Sequence, residues 1–166
     1  MFDKEYRFRG KHANMVIKLT NSVGSNISGK LFATNYDVYA VAPLIGYLFN
    51  RKASLDKSKD IETKIFADKM MNESEELKYN YRLLMLLIHK DLDSEERARI
   101  AFKLDNNDEE RKQYDELYDD YVRGGVEVIY EHFFGEANDV DGYLMNAYEF
   151  MEDFYNRYYA DVDNLV

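Results

Sequence analysis

From Tyr114 to Phe134 the chain reads YDELYDDYVRGGVEVIYEHFF. Tyr114, Leu117, Tyr118, Tyr121, Val122, Val126, Ile129 and Phe133 recur at helical spacing and predict one apolar, aromatic helix face. Asn107 followed by Glu110 supplies a capping-box-like start, and Gly135 stands where a C-terminal cap belongs. Gly124 and Gly125 interrupt this face, although a helix-interior glycine costs roughly 1 kcal/mol against alanine. A pair of them calls for a reason: close approach of a neighbouring backbone, or a kink. The nearest match is the segment Tyr36–Asn50, which is apolar on nearly every side and carries Gly46. We expect Gly46, Gly124 and Gly125 to be helix-packing positions.

The same periodicity predicts further helices. Asn35 is the expected N-cap of the helix over 36–50, and Pro43 inside it predicts a kink or break near Tyr39 to Ala42. Helices are expected over 60–71, from Asn72 or Ser74 to Ile88, and from Asp93 or Ser94 to Leu104. Tyr81 to Ile88 is apolar almost all round, the pattern of a buried central helix. From Asp139 to Tyr159, Val140, Leu144, Ala147, Tyr148, Met151, Phe154, Tyr155 and Tyr158 mark a closing amphipathic helix. Upstream, Ala13 to Leu19 reads as a short helix and Gly24 to Lys30 as a loop; strands over 15–19 and 30–33 would instead make it a hairpin. Together these define an all-α fold: one domain over 1–166, a bundle of about five to seven helices. Residues 1–34 form a basic arm and loop region, irregular or with a short hairpin, and 35–166 form the helical body.

Composition narrows the chemistry. The chain has 166 residues, 46% hydrophobic and 15% aromatic, with one proline, eight glycines and no cysteine. That profile fits a folded helical protein and excludes disulfides, thiolate catalysis and cysteine-ligated metal. With no basic-then-apolar leader and no apolar run of membrane-spanning length, we expect a cytoplasmic protein. The net charge of −10 is divided unevenly. Residues 1–59 carry ten Lys/Arg against four Asp/Glu, and residues 60–166 carry twelve against twenty-eight. Such a chain can neutralise itself by packing one part on the other, or offer two faces to different partners.

Candidate chemistry is sparse. His12, His89 and His132 lack metal-ligand spacing. Asp105, Asn107, Glu109 and Glu116 fall on calcium-loop positions, but Glu110 occupies the place of the obligatory glycine. No phosphate-binding, nucleophile-elbow or kinase motif is present. We therefore expect no catalytic residue, cofactor or metal. Arg7, Arg9, Lys11 and Lys18, interleaved with Tyr6 and Phe8, form a candidate nucleic-acid contact; the alternative is an arm whose aromatics dock on the body. Asp115, Asp119, Asp120 and Arg123, with Tyr148, Tyr155 and Tyr158, are interface candidates, since tyrosine is enriched at interfaces.

Three stretches carry a resemblance: YDVYAVAPLIGYLFNRKA (36–53), YRLLMLLIHKD with ERARIAF after it (81–102), and YDDYVRGGVEVIYEHFF. They resemble small helical accessory proteins of bacterial phage-defence systems, of the kinds that accompany DNA phosphorothioation modules or form the middle component of three-part ABC-ATPase systems. Pro43 stands where that pattern has a plain helix former. The resemblance implies a non-enzymatic subunit that binds larger proteins, an ATPase or nuclease among them, and it carries over no catalytic residue. Two other readings stay open: an acidic inhibitor that imitates DNA, and a DNA-binding accessory protein that uses the basic N-terminal segment.

Overall fold

The computed structural model describes residues 1–22, 30–58, 60–135 and 140–159. Its first departure from an all-helical reading comes at once. Tyr6–Arg9 is a strand, β1, and the alternation of aromatic and basic residues there is strand periodicity. Phe8 is buried, and Tyr6 packs on Tyr39 with ring centroids 4.4 Å apart. The helix α1 (Gly10–Thr20) follows, longer than expected. Gly10 has φ of +54°, and a Cβ there would collide with the carboxylate of Asp56. Residues 15–19 are helical, so the hairpin alternative does not hold; one bridge joins Ser22 to Lys30. Of the expected loop Gly24 to Lys30, only Lys30 lies among the described residues.

The helix α2 (Asn35–Leu48) begins at Thr34, not at Asn35. Thr34 and Asp37 form a reciprocal capping box, which leaves Asn35 free to donate its amide to Thr63 Oγ1 at 2.6 Å. α2 runs unbroken through Pro43. Asn80, from later in the chain, supports this stretch by donating to the Ala40 carbonyl at 3.1 Å.

The expected helix over 60–71 is a correction. Glu62–Ile65 is instead a strand, β2, antiparallel to β1 with Tyr6 opposite Ile65 and Arg9 opposite Glu62. Only Ala67–Asn72 is helical there, as the short α3. Ile65 is buried beside Phe8 in the core. Pairing with β1 satisfies the backbone and buries that side chain, which a lone amphipathic turn at this place would not do.

α4 (Ser74–Ile88) and α5 (Ser94–Phe102) complete the middle of the chain. α4 is not enclosed on all sides: Tyr81, Leu84 and Met85 are buried, whereas Tyr79 and Leu87 are exposed. Asp93 caps α5 by accepting from the backbone of Glu95 and Glu96, both at 3.0 Å. The central helix is α6 (Asp108–Phe134), 27 residues and about 40 Å long, and α2 is its main neighbour. The last helix, α7 (Val140–Tyr158), lies against the second half of α6. The fold is thus all-α in class, seven helices and one two-stranded ribbon among the described residues.

Candidate interaction surface

The body is held by a backbone seam. On α6, a Cβ at Gly125 would run into the Ala42 carbonyl of α2, and one at Gly46 of α2 would meet the Tyr121 carbonyl. Gly124 faces a different neighbour. A Cβ there would stand 2.9 Å from Lys52 Cα and closer still to the Arg51 carbonyl, in the strap that follows α2. That strap is tied to α6 from both sides: Ala53 N donates to the Asp120 carbonyl at 3.0 Å, and Arg123 Nε donates to the Ala53 carbonyl at 2.9 Å.

One polar knot is buried beside the seam. Glu127 on α6 accepts from Lys11 Nζ at 2.6 Å, and its Oε1 lies 3.0 Å from His12 Nε2; Arg51 Nε reaches the second oxygen at 3.2 Å. Burial pushes the Glu127 carboxyl up, but these donors outweigh it and hold it below the ordinary range. Burial pushes His12 down, against the pull of Glu127. His12 Nδ1 is buried without a partner, so the Nε2–H tautomer fits: it donates to Glu127 and leaves only a lone pair bare. The knot joins α1, α6 and the strap through the carboxylate of Glu127.

The predicted acidic face is half-exposed and partnered by arginines of its own helix. Arg111 Nε donates to Asp115 at 3.1 Å, and its remaining donors go to Asp108 and to the carbonyls of Leu104 and Asp105. Arg123, itself buried, donates to Asp120 at 2.5 Å and lies 4.0 Å from Asp119. Asp115 and Asp119 line a cavity of about 200 Å³ under residues 1–6, walled by Tyr6, Tyr39, Tyr81 and Tyr118. Burial in this wall pushes Asp119 up to about 7 despite Arg123, although 36% of its side chain stays accessible. Tyr81 and Tyr118 are buried by their rings, and Phe2 packs edge-on against both at 6.2 Å.

The basic N-terminal candidates are also drawn inward. Arg7 bonds Glu62 at 2.8 Å and also Glu5; Lys11 is in the knot; Lys18 donates to Tyr130 Oη at 3.0 Å. Arg9 is half-buried on β1. Arg7 and Lys11 thus find their counter-charge within the chain.

Beside scattered exposed side chains elsewhere, such as Phe66, Tyr79 and Phe102, a surface that stays apolar and outward lies on α7. Its inner side is half-buried: Phe150 stacks on Phe49 at 5.8 Å and meets Phe133, and Asn146 donates to the Phe133 carbonyl. Tyr158, an expected interface residue, belongs to this inner side and donates to the Leu48 carbonyl at 2.8 Å. At 3.6 residues per turn it falls with Phe154 and Ala147, not with Tyr148. The opposite side carries Leu144, Met145, Tyr148, Met151, Tyr155 and Tyr159, each between 48% and 69% exposed. Leu144, Tyr148, Met151, Tyr155 and Tyr159 follow one another at intervals of three or four residues, a continuous stripe. The sequence pattern grouped Leu144 and Met151 with Phe154 as one face and did not separate the stripe from the core side. The signal was in the breadth of the apolar arc, which exceeds what one packed face can cover.

Among the described residues no cluster of His, Asp or Glu is arranged to hold a metal ion, and no helix is long and apolar enough to cross a membrane. No protein-family model, curated protein or solved structure matches the chain.

Proposed function

We propose that this chain is a non-enzymatic interaction subunit that holds a larger protein through the outer side of α7. The observation that carries the reading is the stripe of large apolar side chains exposed on that helix. A continuous row of leucine, methionine and tyrosine in water marks a contact surface, and tyrosine and methionine offer large, adaptable area there. The seam of Gly46, Gly124 and Gly125 gives α7 a stiff support. The DNA-imitating alternative fits less well, because Asp115 and Asp120 are bonded by arginines one turn away and Asp119 lines a tyrosine cavity. The direct DNA-binding alternative needs a cluster of free cations, and three of its four candidates, Arg7, Lys11 and Lys18, are bonded within the chain, which leaves Arg9.

The resemblance of the packing motifs makes bacterial phage-defence assemblies the place to look for the partner. The test is affinity purification of the chain co-expressed with the products of neighbouring genes, alongside a variant carrying Tyr148→Glu and Met151→Glu. We expect a stoichiometric partner with the native chain and its loss with the variant. A chain that stays alone with every neighbour present, or a variant that retains the partner in full, overturns the reading.

A further inference from the structure

We infer that the segment seated on α7 is a basic amphipathic helix. The inference rests on the reading of α7 as the docking surface and adds the chemistry of what docks. Three acids, Asp141, Glu149 and Glu152, are exposed on α7, and on a helical wheel they border the apolar stripe on the side away from the body. The one cation of this helix, Arg157, is bonded to Asp153 at 2.7 Å and lies over the Phe49 ring on the body side, so it does not offset these three acids. An apolar row edged by unopposed carboxylates is complementary to a helix with apolar residues at i, i+3, i+4 and i+7 and Lys or Arg beside them. Met145 and Met151, both unbranched and exposed, can repack around such a row.

Charge also decides against the other occupants of an apolar stripe. A second copy docked about a two-fold axis would set Glu149 and Glu152 against the same acids of its mate, on molecules that each carry −10. An anionic lipid surface would meet the same repulsion. A basic segment turns those carboxylates into attraction, and the encounter is then steered by the acidic field of the whole chain.

The probe is a synthetic leucine–lysine peptide of the length of α7, with leucines at helical spacing. It is compared with the same peptide carrying glutamate for lysine. Binding is read by fluorescence anisotropy at two salt concentrations, and the oligomeric state by light scattering. We expect the basic peptide to bind at least about ten-fold more tightly than the acidic one, more so at low salt. Glu149→Lys with Glu152→Lys should reverse that preference. Asp91→Lys with Glu95→Lys, an equal change of charge on exposed residues elsewhere, should change it by less than about three-fold. Tyr148→Glu with Met151→Glu should abolish binding of either peptide.

Equal binding of both peptides to the stripe overturns the basic-partner inference and leaves the docking reading standing. Equal loss with the distant pair of substitutions shows a bulk charge effect and also overturns it. A dimer dispersed by Met151→Glu makes the occupant a second copy, and flotation of the chain with phosphatidylserine vesicles makes it a membrane; either outcome overturns the inference. The purification described above is decided separately by the apolar variant, so the two readings fail independently.

Discussion

Gly125 shows how much a single absent atom can decide. Its Cα faces the Ala42 carbonyl so closely that a methyl group has nowhere to go, and the obstacle is backbone in mid-helix rather than a side chain that can swing away. Gly125→Ala would gain helix propensity in an isolated peptide. In the fold it must push α2 and α6 apart at this point, and overpacking of this kind costs about 1–3 kcal/mol. We expect Gly125→Ala to lower the urea midpoint sharply, and an unchanged midpoint would show that the seam has room to relax. From sequence, a glycine pair within a periodic helix implies that something approaches. Which atom approaches is a fact of the fold: Ala42 lies 83 positions upstream, and no local pattern links the two.

The elements differ in how firmly local chemistry defines them. Caps are short-range devices, and Asp93, Asn107 and Gly135 were legible because each needs only neighbours within a turn. Thr34 was missed in favour of Asn35 because both are good caps, and the choice depends on Asp37 bonding back to Thr34 N at 2.7 Å. α7 is the element with two apolar sides. Its attachment is predicted to depend on the inner one: Tyr158→Phe removes the bond to the Leu48 carbonyl and should cost about 1 kcal/mol. The loss should appear as faster amide exchange confined to α7. Tyr148→Ser, on the outer side, should leave exchange and stability unchanged while weakening partner binding. If the two substitutions had the same effect on exchange, the division of this helix into two sides would be wrong.

At the scale of the molecule the charge distribution sets a dependence on pH. His12 is held below its ordinary pKa by burial, so its neutral form stabilises the fold fully above about 6.5. That contribution is lost as pH falls below 6.5 through the folded value. Glu127, also lowered on balance, adds stability present above its ordinary value of 4.5 and lost on further acidification. Asp119 runs the other way. Its folded pKa of about 7 lies above the unfolded value, so its contribution is complete below about 4 and is lost as pH rises through 7. Urea midpoints measured from pH 4 to 8 should therefore show His12→Gln flattening the acid limb. Asp119→Asn should be more stable than the native chain at pH 8, by roughly 1 kcal/mol once solvent screening of the partly exposed carboxyl is allowed for, with no gain at pH 4. A gain that persists at pH 4 would assign the effect to packing instead of charge.

The sequence by itself determined the helical class, the positions of most helix starts, the aromatic and glycine-bearing face of α6, and the opposition of a basic first third to an acidic remainder. Each of these is carried by spacing within a turn or two, or by a sum over residues, and neither requires knowing what packs on what. The tertiary structure alone decided that Glu62–Ile65 is a strand, because its partner Tyr6–Arg9 lies more than fifty residues away. It decided that Asp115 and Asp120 are bonded and that Asp119 is walled by tyrosines. And it decided which side of α7 meets Phe49 and Phe133 and which meets water. An apolar residue has the same periodicity on either side of a helix, and only the neighbour that covers it, or fails to, makes one side core and the other a surface for a partner.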